Sequence, residues 1–308
     1  MLQAICGKIA NVLFADSSLA RRIEHAECRL IADAGNVIQT RASPGDVFVA
    51  SIAGGIAVHV GAEAPFNKMI GAALEGPLDE AAQEALEAIE REFDARRAPL
   101  QAEVATLAHG SLARLLTGRG YALVGFENVL GLRLDEALAS DLAAMPPPPG
   151  LTLVQGEDVE RDAWIDTIIT GFSHPDVVPG GESHEVFPRD ALAQVMADMA
   201  RVSGFTHYVA RLDGAVVGGA GLRICGGVAQ LAGSATLPEH RRRGVQTALL
   251  ARRLIDATRS GCDVAVITTQ PASKSQQNAQ RHGFALLYSR AILLREPRPT
   301  LSVPGGPG

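Results

Sequence analysis

Six consecutive residues, Arg241-Arg242-Arg243-Gly244-Val245-Gln246, have the types and spacing to bind an anion. Three guanidinium groups precede a glycine, and a strongly helical segment, Thr247 to Thr258, follows. The first N–H groups of a helix lack intrahelical partners, and that end of the dipole is positive. Gly244 permits a positive φ, so successive amides can converge on one phosphate as a nest. Cations oppose the dipole at a helix start, and three of them make electrostatic sense there when an anion sits between them. The expected chemistry is recognition of a phosphate or pyrophosphate.

The elements that position this loop are read outward from it. An apolar, glycine-broken strand, Val228 to Leu237, leads into it, with Pro238 at the junction. Upstream come a strand at Leu151 to Val154, a helix over Asp158 to Thr170, a polar loop from Gly171 to Pro188 and a helix over Arg189 to Val202. Thr206 to Leu212 and Val216 to Ile224 read as a hairpin, because Asp213-Gly214 suits a two-residue turn. Downstream lie a strand at Val264 to Thr269, a short helix from Ser273 to Arg281 and a strand from Phe284 to Leu293.

In this setting the hexapeptide resembles the acyl-CoA signature of the GNAT superfamily of N-acetyltransferases, Gln/Arg-x-x-Gly-x-Gly/Ala. The first four positions fit; Gln246 stands where the family has a small residue. The resemblance covers nearly all of residues 151–298. It implies an α/β (α+β) fold and acetyl-CoA as the acyl donor, with direct transfer to a primary amine of a small molecule or peptide. It also implies that the strand before the loop splays from Val264 to Thr269. The pantetheine arm would then pair with backbone near Ala235 and Leu237. Arg241, Arg242, Arg243, Gly244, Val245, Gln246 and Thr247 would hold the pyrophosphate. Asn278 is the candidate for a further cofactor contact, with a solvent-facing asparagine as the alternative. The family pattern places an asparagine and a tyrosine where this chain has Ser273 and Ala279, so the usual acid for the departing thiolate is missing.

Transfer to an amine needs a neutral nucleophile held in attack geometry and a donor for the developing oxyanion. No covalent enzyme intermediate is required, and no Gly-x-Ser-x-Gly elbow is present. His184 and Glu185 are the candidate general bases, in a loop that also carries His174, Asp176 and Glu182. An ordinary solvated loop is the alternative. Tyr288 is the candidate replacement acid, against a buried tyrosine with a satisfied hydroxyl. Gln246 and Ala279 give weight to a second function, a catalytically silent acyl-CoA-binding regulatory or sensor protein.

Composition narrows the class. The chain has 308 residues, 47% hydrophobic and 20% charged, a size that suits about two domains. A net charge of -6 and a pI of about 5.8 disfavour a general nucleic-acid binder. Four scattered cysteines, with no Cys-x-x-Cys pair, suggest neither a zinc site nor a redox motif and fit a reducing cytoplasm. Lys8 and Asn11 interrupt the apolar start, so a signal peptide is not expected, and no apolar run is long enough to span a membrane. No metal site is expected.

Met145-Pro146-Pro147-Pro148-Pro149-Gly150 reads as a semi-rigid spacer between two halves. The halves match each other. Arg119-Gly120-Tyr121-Ala122-Leu123-Val124 resembles His282-Gly283-Phe284-Ala285-Leu286-Leu287, an offset of 163 residues from Gly120 to Gly283. The same offset lays Gln101 to Leu107 on Val264 to Gln270, and the helix Pro77 to Arg97 on the helix after the arginines. An earlier helix over Ser18 to Ala32 and strand candidates at Val47 to Val60 and Phe66 to Leu74 complete the first half. The anion loop does not repeat: its counterpart is Leu78-Asp79-Glu80-Ala81-Ala82-Gln83, with two carboxylates that repel phosphate. Together with Pro65 to Gly71 and Phe126 to Leu130, this resembles bacterial tandem GNAT proteins with one degenerate half. The expected organisation is two tandem GNAT-like domains, each a mixed, mostly antiparallel sheet flanked by helices. Residues 1–145 would form the degenerate domain, 146–150 the linker, 151–298 the acetyl-CoA domain and 299–308 a flexible tail. A monomer or a homodimer is expected.

Overall fold

A computed structural model describes residues 12–43, 45–61, 64, 66–156, 160–174 and 189–298. The expected tail at 299–308 and the first eleven residues lie outside the described residues. The first half contains α1 (Ser17–Gln39), β1 (Phe48–Ile52), β2 (Gly55–His59), β3 (Lys68–Ile70), α2 (Glu80–Ala95), β4 (Leu100–Ala105), α3 (Gly110–Gly118), β5 (Ala122–Arg133) and α4 (Glu136–Ala144). The second contains β6 (Leu151–Gln155), α5 (Arg161–Ser173), α6 (Arg189–Met199), β7 (Phe205–Leu212), β8 (Ala215–Cys225), β9 (Val228–Thr236), α7 (Val245–Arg259), β10 (Val264–Thr269), α8 (Lys274–Arg281) and β11 (Ala285–Arg295).

Local chemistry explains most of these boundaries. The Asp16 and Asp79 carboxylates accept from the amides of Leu19 and Ala82, at 2.8 Å each, and so cap α1 and α2. Asp213 and Gly214 take φ values of 50° and 87°, the two left-handed residues that a tight hairpin requires. The candidate strand Val47 to Val60 is two strands, because Ala53 and Gly54 turn the chain back on itself with φ of 44° and 82°.

All eleven strands form one sheet, in the order β1-β2-β3-β4-β11-β5-β10-β9-β8-β7-β6. Only β3 with β4 and β9 with β10 pair in parallel among the described strands. The halves therefore do not make two separate sheets. Each donates its last strand to the other: β11 pairs with β4, and β5 pairs with β10. The two exchanged strands meet in the centre, where Arg290 faces Glu127. These two residues differ by the same 163-residue offset as Gly120 and Gly283, so a pseudo-twofold axis passes between them.

Helices α1, α5 and α6 cover one face, and α2, α3, α4, α7 and α8 the other. Alternation along β10 shows the division: Val264 and Val266 pack under α1, and Ala265 under α7. Helix α1 crosses both halves. Arg223 of β8 donates to Asp33 at 2.7 Å, and Gln230 of β9 to Glu27 at 2.8 Å. Beneath α1, at the axis, Arg290 is buried with Glu24 at 2.8 Å, Glu103 at 3.4 Å and Glu127 at 3.5 Å. Lys68 reaches Glu103 at 2.7 Å. Burial alone would raise the Glu103 pKa; Lys68 and Arg290 override it and hold it below the usual carboxylate range.

Candidate acyl-CoA site

Strands β9 and β10 pair only from Val228 to Gln230, against Val264 to Val266. Beyond that point β9 runs on to Thr236 and β10 to Thr269 without pairing to each other. The divergence has a local cause. Gly219 faces Ala235 while Gly221 faces Ala232, so β9 carries an extra residue there, and Gly233 takes φ 47°. The bulge bends β9 away and opens a cleft. Around it, the buried hydroxyls of Ser234, Thr236 and Thr269 have no hydrogen-bond partner among the described residues.

The anion loop lies past the end of β9. A single turn, Pro238–His240, leads to Arg241 in extended geometry. Arg242 is left-handed at φ 62°, and Gly244 at φ 78° is the N-cap of α7. No side chain caps this helix, and its first turn holds no acid. The first helical bond runs from the Ala248 amide to the Gly244 carbonyl, 3.0 Å; the amides of Val245, Gln246 and Thr247 precede it. A side chain on Gly244 would be strained by its φ, and its Cβ would come within 2.9 Å of the Pro148 ring. Arg242, Arg243 and Gln246 are exposed, whereas Val245 is buried beneath the turn. Gln246 thus occupies the small-residue slot with its side chain at the surface.

Arg241 has a different task from its two neighbours. Its guanidinium donates to the carbonyls of Thr236 and Gly171 at 3.3 Å each, and to that of His174. It ties the loop to the end of α5. His174 terminates α5, and its ring Nδ1 lies 2.9 Å from the Thr170 carbonyl.

The first half places α2 after β3 as the second places α7 after β9, but its helix start is closed by a side-chain cap. Asp79 caps α2 with its own carboxylate, and Glu80 follows in the first turn. The His109 amide donates to the Ala73 carbonyl at 2.7 Å, joining the chain after β3 to the chain after β4. At the 163-residue offset lie Thr236 and Ala272, which do not bond to each other. The Thr236 carbonyl accepts from Arg241, and the Ala272 amide donates to the Gln276 side chain at 2.8 Å.

The Leu237 amide donates to Val217 at 2.9 Å and its carbonyl accepts from His240 at 2.9 Å, so both are used within the protein. Neighbouring strand residues point their backbone groups to opposite sides, so the cleft side at this level belongs to Thr236. Ala235 is buried against Trp164 and Ile168 of α5. Asn278 is half-buried on α8. Ala279 packs with Phe284 in the core beneath α7.

Tyr288 is not placed to serve as an acid. It is buried, and its hydroxyl donates to Glu24 at 2.7 Å. Burial pushes its pKa well up. The cause is the strand exchange: β11 borders β4 and β5, and the strand beside β10 is β5. There Asn128 faces Thr269, donates to Gln276 of α8 at 3.3 Å and accepts from Ser289 at 2.6 Å. The segment Phe126 to Leu130 stands out in the sequence only as a family resemblance, and nothing there assigns Asn128, Phe126 or Glu127 to the cleft, since their approach to it depends on a long-range pairing. The candidate bases His184 and Glu185, with Asp176 and Glu182, lie outside the described residues. The described residues contain no metal-binding cluster and no helix long and apolar enough to cross a membrane.

Comparison with known proteins agrees with this geometry. The model of the Acetyltransferase (GNAT) family matches residues 175–284. A solved GCN5-related N-acetyltransferase from Kribbella flavida is similar over 89% of this chain and 96% of its own, at 19% identity and a TM-score of 0.59. A tandem GNAT protein from the clavulanic acid biosynthesis pathway is similar over 87% of this chain and 88% of its own, at 14% identity and a TM-score of 0.60. No curated protein matches the sequence. The chain therefore has the fold of a tandem GNAT protein, and its residues 175–284 match the model of the GNAT acetyltransferase family.

Proposed function

We propose that the second half is an acetyl-CoA-dependent N-acetyltransferase acting on a primary amine of a small molecule or peptide. The first half, residues 1–145, is a GNAT fold that does not bind acyl-CoA. The Pro-rich segment 146–150 links it to the active domain, 151–298. One observation carries this reading, the contrast between two equivalent helix starts. Gly244 leaves the α7 amides free of any side-chain cap, whereas Asp79 fills the same position on α2 with a carboxylate.

The residues present fit the cofactor. The α7 amides and the side chains of Arg242 and Arg243 would hold its phosphates. Ser234, Thr236 and Thr269 offer unsatisfied hydroxyls along the cleft for its polar arm. Acetyl-CoA, when bound, supplies an acyl group already activated as a thioester. Cleft-facing amides of β9 are positioned to donate to a developing oxyanion. His184 or Glu185 would take the proton from the amine, which must be neutral to attack.

A second reading, a catalytically silent acyl-CoA-binding protein, draws on the buried Ala279 and the sequestered Tyr288. Thiol release from acetyl-CoA in the presence of an amine panel separates the two. Turnover above the amine-free rate supports the enzyme; binding without turnover supports the silent protein. Gly244→Glu is expected to abolish binding under either reading, because it places a strained carboxylate at the anion site.

A further inference from the structure

We propose that Arg253 is a positioning residue for acyl transfer: it braces the β9 bulge, and with it the cleft-facing amides, against the helix that carries the anion loop. This rests on the acetyltransferase reading of the second half. Arg253 lies on α7, about two turns beyond the amides of Val245, Gln246 and Thr247, and is buried. Among the described residues no carboxylate pairs with it. Its Nε donates to the Leu249 carbonyl at 3.2 Å, one turn back in its own helix, and an Nη donates to the Gly221 carbonyl of β8 at 3.0 Å.

Gly221 stands at the bulge. It faces Ala232, and the next facing pair toward the anion loop is Gly219 with Ala235. Between them β8 has only Ala220, whereas β9 has Gly233 and Ser234. The Ala220 carbonyl accepts from the Trp164 indole of α5 at 3.2 Å. Two successive carbonyls opposite the bulge are thus held by side chains, one from the helix layer on each face of the sheet. A carbonyl has two lone pairs, so such a donor need not displace a ladder bond. The residue type is a second observation. Around Arg253 the buried positions of α7 are Leu249, Leu250, Leu254 and Ala257. An aliphatic side chain would fill this place without taking a charge out of water. Burial lowers the Arg253 pKa to about 10. What the guanidinium supplies, and an aliphatic cannot, is a bond from the anion helix to the strand edge at the bulge. Helix α7 is unbroken from Val245 to Arg259, so this bond fixes the phosphate seat relative to the β9 amides. That separation matters for a donor gripped by its phosphates and reacting at its thioester, since a misplacement of about 1 Å can cost about a hundredfold in rate.

Arg253→Met in the full-length protein tests this. Its melting temperature should equal or exceed that of the wild type, because a hydrophobe replaces a buried charge. Acetyl-CoA affinity by calorimetry should stay within about threefold. The kcat for thiol release with the best amine of a panel should fall at least about tenfold, with the KM for that amine little changed. Amide hydrogen exchange from Ala232 to Thr236 should speed up while that of β10 stays at its wild-type rate. Arg253→Lys keeps a donor and should recover part of the loss; it also decides the matter if Arg253→Met fails to fold. Wild-type kcat in the variant, unmoved exchange in β9, or a loss of turnover that only follows a loss of folded protein would overturn the proposal. Absence of turnover in the wild type itself overturns the acetyltransferase reading, and the part of Arg253 in transfer with it.

Discussion

At the residue scale, the same helix position in the two halves holds opposite chemistry. Asp79 spends its carboxylate on its own helix, at 2.8 Å from the Ala82 amide. Asp79→Ala should therefore lower stability by about 1 kcal/mol in denaturant melts and leave acetyl-CoA binding unchanged. The arginine run and Gly244 were legible in the sequence because backbone chemistry at a helix start is local. The assignment of Tyr288 was not, since its hydroxyl partner, Glu24, is remote in sequence. Its role is structural: Tyr288→Phe should cost about 1.5–3 kcal/mol, the worth of a hydrogen bond to a charged group, with turnover per folded molecule retained. Loss of turnover at full folding would return Tyr288 to the catalytic machinery.

At the element scale, periodicity and turn chemistry placed most helices and strands. Asp213-Gly214 and the capped starts of α1 and α2 are examples, each decided by residues close in sequence. The neighbours of β5 and β11 were not readable. Both are apolar strands following matching helices, and either would pair acceptably with β4 or β10. The choice rests on long-range packing at the axis. Packing also tunes a titratable group. His59 of β2 is buried edge-on to Phe93, with ring centroids 5.5 Å apart, and burial lowers its pKa. Below an unfolded value of about 6.5 the unfolded chain takes up a proton that the native chain refuses. Stability should thus fall as the pH drops from that value through the lowered native one. His59→Gln should flatten this part of the profile in thermal melts recorded across it.

At the scale of the whole molecule, the exchange makes the halves inseparable. A sheet ending at β10 would expose an unpaired apolar edge, a template for association. Residues 151–298 expressed alone should therefore give aggregates or strand-exchanged dimers by size-exclusion chromatography. A stable monomer would show that β5 is dispensable. The single chain also resolves a difficulty of symmetric pairs. At a true twofold axis the central residue meets its own copy, and like charges repel; here the position holds Arg290 on one strand and Glu127 on the other. Duplication has let the two sides differ, at the axis as at the anion loop. That difference is tested most directly by calorimetric titration of acetyl-CoA into the intact protein, with Gly244→Glu alongside. The account predicts one site per chain, lost in the variant. Two sites would contradict the closed first half, and no binding would contradict the acyl-CoA site itself.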